Sequence, residues 1–163
     1  MAMDVQSRQG WSRRAWLWQL PLLCLGTVGL AQAQVIAEAV QKATSVDAAL
    51  LAIGAKPEPS SHLLLDVPDV ALPGKVRVRF SSEVAGTGWL VLMRGRKGVA
   101  PPPPPKGKSP EPVLLAAEPF KAGKRASASK AVDIERTEYL TLLAQSRGRW
   151  YLVEREIKVA RER

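Results

Sequence analysis

Between Lys75 and Phe80 the side chain changes character at every step: Val76, Val78 and Phe80 are apolar, while Lys75, Arg77 and Arg79 are cationic. Only an extended chain puts residues two apart on one face, so the stretch predicts a strand with one buried and one solvated side. Other segments repeat the signal. His62 to Val67 places Leu63, Leu65 and Val67 on one face, and Trp89 to Met93, Val113 to Phe120 and Arg125 to Glu135 are further short strands between turn residues. Tyr139 to Ala144 is apolar on both faces, as a strand central to a sandwich should be, and Ser146-Arg147-Gly148 turns it into a return strand. On that return Tyr151, Val153, Ile157 and Val159 share a face that Arg155 interrupts, which predicts a bulge or an exposed strand end there. About seven short strands with no helix among them predict a mainly β fold, an immunoglobulin-like antiparallel β-sandwich over residues 62–163.

The residues ahead of the sandwich have a different grammar. Val35, Ile36, Ala39, Val40 and Ala43 recur at spacings of three and four, and Ser45 is placed to cap a second short helix starting at Val46, with Asp47 in its first turn and Gly54 ending it. Lys56 to Ser61 holds two prolines and predicts an extended linker, so residues 34–61 form a short helical lead-in. Further upstream, Arg8, Arg13 and Arg14 precede an apolar run from Ala15 to Leu30, and Ala31-Gln32-Ala33 has the small-x-small form of a cleavage site. Residues 1–33 therefore predict a signal peptide and a periplasmic destination. The pair Arg13-Arg14 resembles a twin-arginine signal; an ordinary secretory signal is the competing reading. Gln19 and Pro21 interrupt the apolar run, which argues against a permanent membrane anchor, and Leu23 ahead of Cys24 argues against a lipid anchor. A second irregular segment, residues 94–108, is basic and contains five consecutive prolines, so it predicts a polyproline excursion from the sheet.

Chemistry-bearing groups are sparse. The one cysteine, Cys24, lies in the leader, so cleavage there leaves no thiol nucleophile and no thiolate metal site. His62 is the one histidine and has no partner for a metal site or a triad, which predicts a solvent-facing side chain. Asp133, Glu135 and Glu138 fall near one strand connection and read as a solvated turn rather than an acid/base pair. No cofactor loop is present, and these absences predict a protein that is not an enzyme. The chain carries a net charge of +9, which favours anionic partners; Lys75, Arg77 and Arg79 could track a nucleic-acid backbone, but export removes that partner, so no nucleic acid is expected and the alternation reads as a plain solvated face ahead of a binding stripe.

Glu38-Ala39-Val40, Pro68-Asp69-Val70-Ala71, Pro110-Glu111-Pro112-Val113 and Arg149-Trp150-Tyr151 follow one another in an order that resembles the Y subunit of the Sox thiosulfate-oxidation system. Glu38-Ala39-Val40 through Ile53-Gly54-Ala55 is similar to that family's helical lead-in, and Leu63 to Ala71 to its first strand and the Pro-[Asp/Glu]-[Ile/Val]-Ala beyond it. Ser109-Pro110-Glu111-Pro112-Val113-Leu114 is similar to its Asn-Pro-x-Pro-Leu segment, and Arg149-Trp150-Tyr151 with Glu156 to Val159 to its closing strand. The resemblance implies an immunoglobulin-like sulfur carrier that pairs with a Z-type subunit and presents a flexible Gly-Gly-Cys-Gly-Gly tail. Here Ala160-Arg161-Glu162-Arg163 follows Val159, and no residue matches the carrier cysteine. The expectation is therefore a non-enzymatic subunit of a Sox-type complex, either a partner-binding scaffold or a carrier whose last residues are missing. An unrelated periplasmic binding module for an anionic ligand or surface is the alternative. Trp89, Trp150 and Tyr151 are the candidate interface side chains, with burial in the core as the competing reading.

Overall fold

The computed structural model describes residues 38, 40–95, 111–121 and 123–160. The leader lies outside these residues, as does the proline-rich insertion from residue 96. The elements run α1 (Val46–Ala52), β1 (Glu58–Pro59), β2 (Leu63–Asp66), β3 (Val70–Ala71), β4 (Gly74–Ser82), β5 (Thr87–Arg94), β6 (Leu114–Pro119), β7 (Ala126–Ile134), β8 (Glu138–Ser146) and β9 (Arg149–Val159). Seven of the strands have four or more residues, and they build the immunoglobulin-like sandwich. One sheet has the order β1-β9-β8-β5-β6, with β3 also on the outer edge of β9, and the other has the order β2-β4-β7.

Alternation explains the space between the sheets. Val78 and Phe80 of β4 are buried there with Leu63 and Leu65 of β2, Val132 and Ile134 of β7, and Leu90, Leu92, Leu140 and Leu142 of β5 and β8. The larger sheet is covered on its other face too. Val40, Val46, Ala49 and Leu50 of the helical lead-in lie on Val91, Met93, Leu143 and Trp150, making a second apolar cluster. This three-layer arrangement is the physical reason that β8 is apolar on both faces.

Local chemistry places α1. Ser45 is extended, at φ −152°, and its hydroxyl accepts from the Ala48 N–H at 3.1 Å. At the other end Gly54 takes φ 62°, and its N–H and that of Ala55 donate to the carbonyls of Leu51 and Leu50, closing the helix in a Schellman motif. The terminal hairpin has a two-residue turn in which both Arg147 and Gly148 have positive φ, at 50° and 79°. That is the turn whose twist matches the flanking strands, and Arg147 bears the steric cost that a glycine would avoid.

Three expectations need correction. The linker predicted over Lys56–Ser61 contains β1, which pairs in parallel with β9; Pro59 lacks an N–H, and a sheet edge is the position that tolerates this. Arg155 is exposed, but neither a bulge nor a strand end forms there: it lies within β9, and β8 and β9 keep one register from Glu138↔Ile157 to Ser146↔Arg149; the register shifts lie in β5 instead. Arg94 does not begin the excursion. It is the last residue of β5, where its N–H donates to the Val113 carbonyl and so joins the two sides of the insertion.

Candidate functional site

Arg94 and Thr141 mark where the insertion leaves the sheet. The Thr141 hydroxyl, fully buried, donates to the Gly95 carbonyl at 2.7 Å, and the Gly95 N–H donates to the Tyr139 carbonyl at the same distance. Around this point the Arg94 guanidinium pairs with Glu111, on the returning side of the insertion, and donates to the Asp133 carbonyl. Its Nε lies 3.3 Å from Glu138 Oε2, and Arg136 reaches Glu111 at 3.5 Å. The Arg94–Glu138 approach is close enough for charge attraction, but neither Arg94 Nε nor Glu138 Oε1 has an aligned hydrogen-bond partner. Glu138 is therefore not the solvated turn residue expected from the sequence, since its side chain is only 10% exposed. Burial pushes its carboxyl up to about 7; Arg94 and Arg136 pull it down, and Glu111 pushes it further up. Two cations and two carboxylates thus tie the base of the insertion to β8, an arrangement suited to holding a loop. Among the described residues no group of histidine, cysteine and acidic side chains could hold a metal, and no helix is long and apolar enough to cross a membrane.

The three aromatic candidates separate. Trp89, Gln145 and Trp150 stand in one cross-strand row on the helix-covered side of the larger sheet. Trp150 is 8% exposed and belongs to the cluster under the lead-in, whereas Trp89 is half-buried and belongs to neither cluster. Tyr151 faces the other way and packs against the core between the sheets. Trp89 is thus the one of the three outside both core clusters, and the structure does not gather them into one patch. His62 is exposed, as expected.

Lys75, Arg77 and Arg79 are exposed on the outer face of β4, opposite Asp133, Ala131 and Ser129 of β7. None of the three forms an ion pair among the described residues. Steps of two residues space the charges about 7 Å apart, with Asp133 of β7 across from Lys75 and Asp66 of β2 across from Arg79.

No protein-family model matches the chain, and no curated relative matches it by sequence. Solved structures do match it. The sulfur carrier protein SoxY from Chlorobium limicola f thiosulfatophilum aligns with a TM-score of 0.56 and 22% identity, over 71% of this chain and 94% of the carrier. The fold is SoxY-like. A superoxide reductase (neelaredoxin) from Ignicoccus hospitalis aligns at TM-score 0.47 and 16% identity, over 60% of this chain and 80% of that one. A putative superoxide reductase from Thermotoga maritima aligns at 0.48 and 12%, over 66% and 95%.

Within this SoxY-like sandwich two features escaped sequence reasoning. The Arg94–Glu111–Glu138–Arg136 cluster joins residues far apart in the chain, and each of them reads alone as an ordinary surface charge. A groove of about 480 Å³ opens between β2 and the middle of β9, lined by residues 63–66 and 153–155. Arg155, which interrupts an otherwise apolar face, was its one sequence signal.

Proposed function

We propose that this chain is a non-enzymatic, partner-binding subunit of a Sox-type sulfur-oxidation assembly, working in the periplasm after export by its leader. The observation that carries the reading is the agreement of two independent likenesses: the SoxY-like fold and the SoxY-like order of motifs, from the helical lead-in to Arg149-Trp150-Tyr151. The partner by this reading is a Z-type subunit, and other Sox enzymes meet the chain through that complex. Residues 34–163 contain no cysteine, so they hold no thiolate that could carry a sulfane or thiosulfonate adduct. Their contribution is then shape and contact rather than sulfur transfer.

Co-expression with a tagged Z-type subunit tests this. Stoichiometric co-purification from the periplasmic fraction is expected, with a mature N-terminus at Gln34 and no mass gain on residues 34–163 after exposure to thiosulfate and the oxidising partners. Recovery of this chain without the tagged subunit, or a sulfur adduct within those residues, overturns the reading. The unpaired cations Lys75, Arg77 and Arg79 favour one alternative, a periplasmic module for an anionic ligand or surface. Binding of a polyanion that disappears when all three are changed to Gln, together with no Z-type binding, would establish it.

A further inference from the structure

On the side of the sandwich away from β9 the smaller sheet ends in β7, which lies across from β5 and β6 of the larger sheet. The β2-β4-β7 ladder fixes which main-chain groups this last strand leaves unused. The Glu83 N–H donates to the His62 carbonyl at 2.8 Å, and hydrogen-bonded and non-bonded pairs alternate, so Glu83, Ser81 and Arg79 bond towards β2. Ser82, Phe80, Val78, Val76 and Gly74 then bond towards β7, where their partners are Ala126, Ala128, Lys130, Val132 and Ile134. The N–H and C=O groups of Ser127, Ser129, Ala131 and Asp133 therefore point out of the sheet. The Arg94 guanidinium, which donates to the Asp133 carbonyl from outside the ladder, agrees with this direction.

The outward-pointing groups are open to solvent. Ser127, Ser129 and Ala131 are all exposed, and none has a hydrogen-bond partner on that side among the described residues. Arg94 occupies the Asp133 carbonyl at one end and β7 begins at Ala126 at the other. Ser127 to Ala131 thus remain as an unpaired edge roughly 17 Å long.

One residue of the inward row of β7 is out of character. Ala126, Val132 and Ile134 are buried between the sheets and Ala128 packs against them, but Lys130, at the centre of the row, is exposed and forms no ion pair among the described residues. An inward lysine on an edge strand obstructs pairing, because a neutral or basic strand laid beside it would cover the ammonium without compensating its charge. Self-pairing meets the same obstacle. Two copies of β7 joined antiparallel about Ser129 would bring both lysines into one short inward row. A carboxylate at the facing position removes the obstacle, and the chain's net charge of +9 favours a partner that carries one.

We propose that the β7 edge accepts an extended acidic segment of a partner protein, which adds antiparallel to Ser127–Ala131 as a fourth strand of the smaller sheet and sets a carboxylate opposite Lys130. Main-chain bonds to Ser127, Ser129 and Ala131 supply affinity, while Lys130 supplies selection by rejecting basic strands and admitting acidic ones. The partner's next inward residue falls opposite Ala128, whose small side chain leaves room for an apolar group. The preferred pattern is therefore acidic–x–apolar in the partner's chain direction. This surface goes beyond the function proposed above and does not depend on which assembly the chain serves.

Capped peptides of about seven residues, alternating Thr with Val and carrying either Glu or Lys at the inward position that faces Lys130, serve as probes in NMR titrations of the full mature chain. Saturable binding of the Glu peptide is expected in the roughly millimolar to 100 micromolar range, with the Lys peptide at least about tenfold weaker. Amide exchange should slow at Ser127, Ser129 and Ala131 and stay unchanged at Ala128 and Lys130, whose N–H groups already bond to β4. Lys130→Glu should reverse the order of the two peptides, which a misfolded variant would not do. Ser129→Pro removes an N–H that points out of the sheet and leaves the β4 ladder whole, so it should abolish binding while the melting temperature stays near the parent's. If that variant fails to fold, the reversal at Lys130 still decides. No saturable binding, equal binding of both peptides, or protection at another edge overturns the proposal. So does concentration-dependent dimerisation that protects Ser127, Ser129 and Ala131 without peptide, because the occupant is then a second copy of this chain. A chain that binds a Z-type subunit but no peptide retains the proposed function and loses this edge.

Discussion

The two faces of the larger sheet are filled by different means. Between the sheets the core is made by strands alone, with Phe80 and Val78 meeting Leu90, Leu92 and Leu142 from positions distant in sequence. On the opposite face Leu143 and Trp150 are covered by one short helix and the helical residue Val40 ahead of it, with Val113 completing the cluster. The first core is shared among seven strands, so losing a side chain there strains the whole domain. The second rests on a seven-residue helix held by its caps and can open locally. The same strand, β8, serves both faces, which makes the comparison experimentally clean.

The largest effect should come from the inter-sheet core. Phe80→Ala is expected to cost about 3–5 kcal/mol in chemical denaturation, because it removes a large side chain from a close-packed interior. Leu50→Ala, on the helix side, should cost about 2–3 kcal/mol, near the lower end for a buried leucine, since the short helix can settle into part of the space. Equal losses at the two positions would show that the lead-in is as integral to the domain as the strands.

Glu138 probes the junction between the sheet and the insertion. Its folded pKa, about 7, lies above the ordinary 4.5, so the folded state binds the proton more tightly and stability falls as pH rises from about 4.5 through about 7. Glu138→Gln keeps the shape and removes the titration. Its thermal stability should equal that of the parent at acid pH and exceed it above neutrality, by on the order of 1–2 kcal/mol after allowance for solvent screening. A variant less stable than the parent above neutrality would mean that attraction to Arg94 outweighs the burial of the carboxylate. The Ser45→Ala variant should lose about 1 kcal/mol, confined to α1 in hydrogen exchange. Arg77→Ala, on the solvated face of β4, should stay within about 0.5 kcal/mol.

Much of the fold was legible before any coordinates. Strand faces follow from period-two alternation, and each of Leu63, Leu65, Val78, Phe80 and Ile157 lies buried as its pattern indicates. Ser45, Gly54 and Gly148 act where local chemistry puts them, because a cap or a positive φ is decided by a few adjacent residues. The candidate sites were less legible. Trp150 and Tyr151 are neighbours in sequence and face opposite layers, so a list of aromatics cannot say which of them meets solvent.

The sequence by itself determined the local terms: which segments extend, which face of each turns inward, and where the helix begins and ends. Those are properties of single residues and near neighbours, set by sterics, hydrogen bonding and apolar patterning. The tertiary structure alone decided that the linker contributes β1 to the edge of β9 and that Glu138 lies buried against Arg94. It also decided that β2 ends the smaller sheet beside an uncovered Arg155. Those outcomes depend on which distant segments come together and how wide each sheet grows, and burial, charge pairing and edge exposure exist only once that assembly has formed.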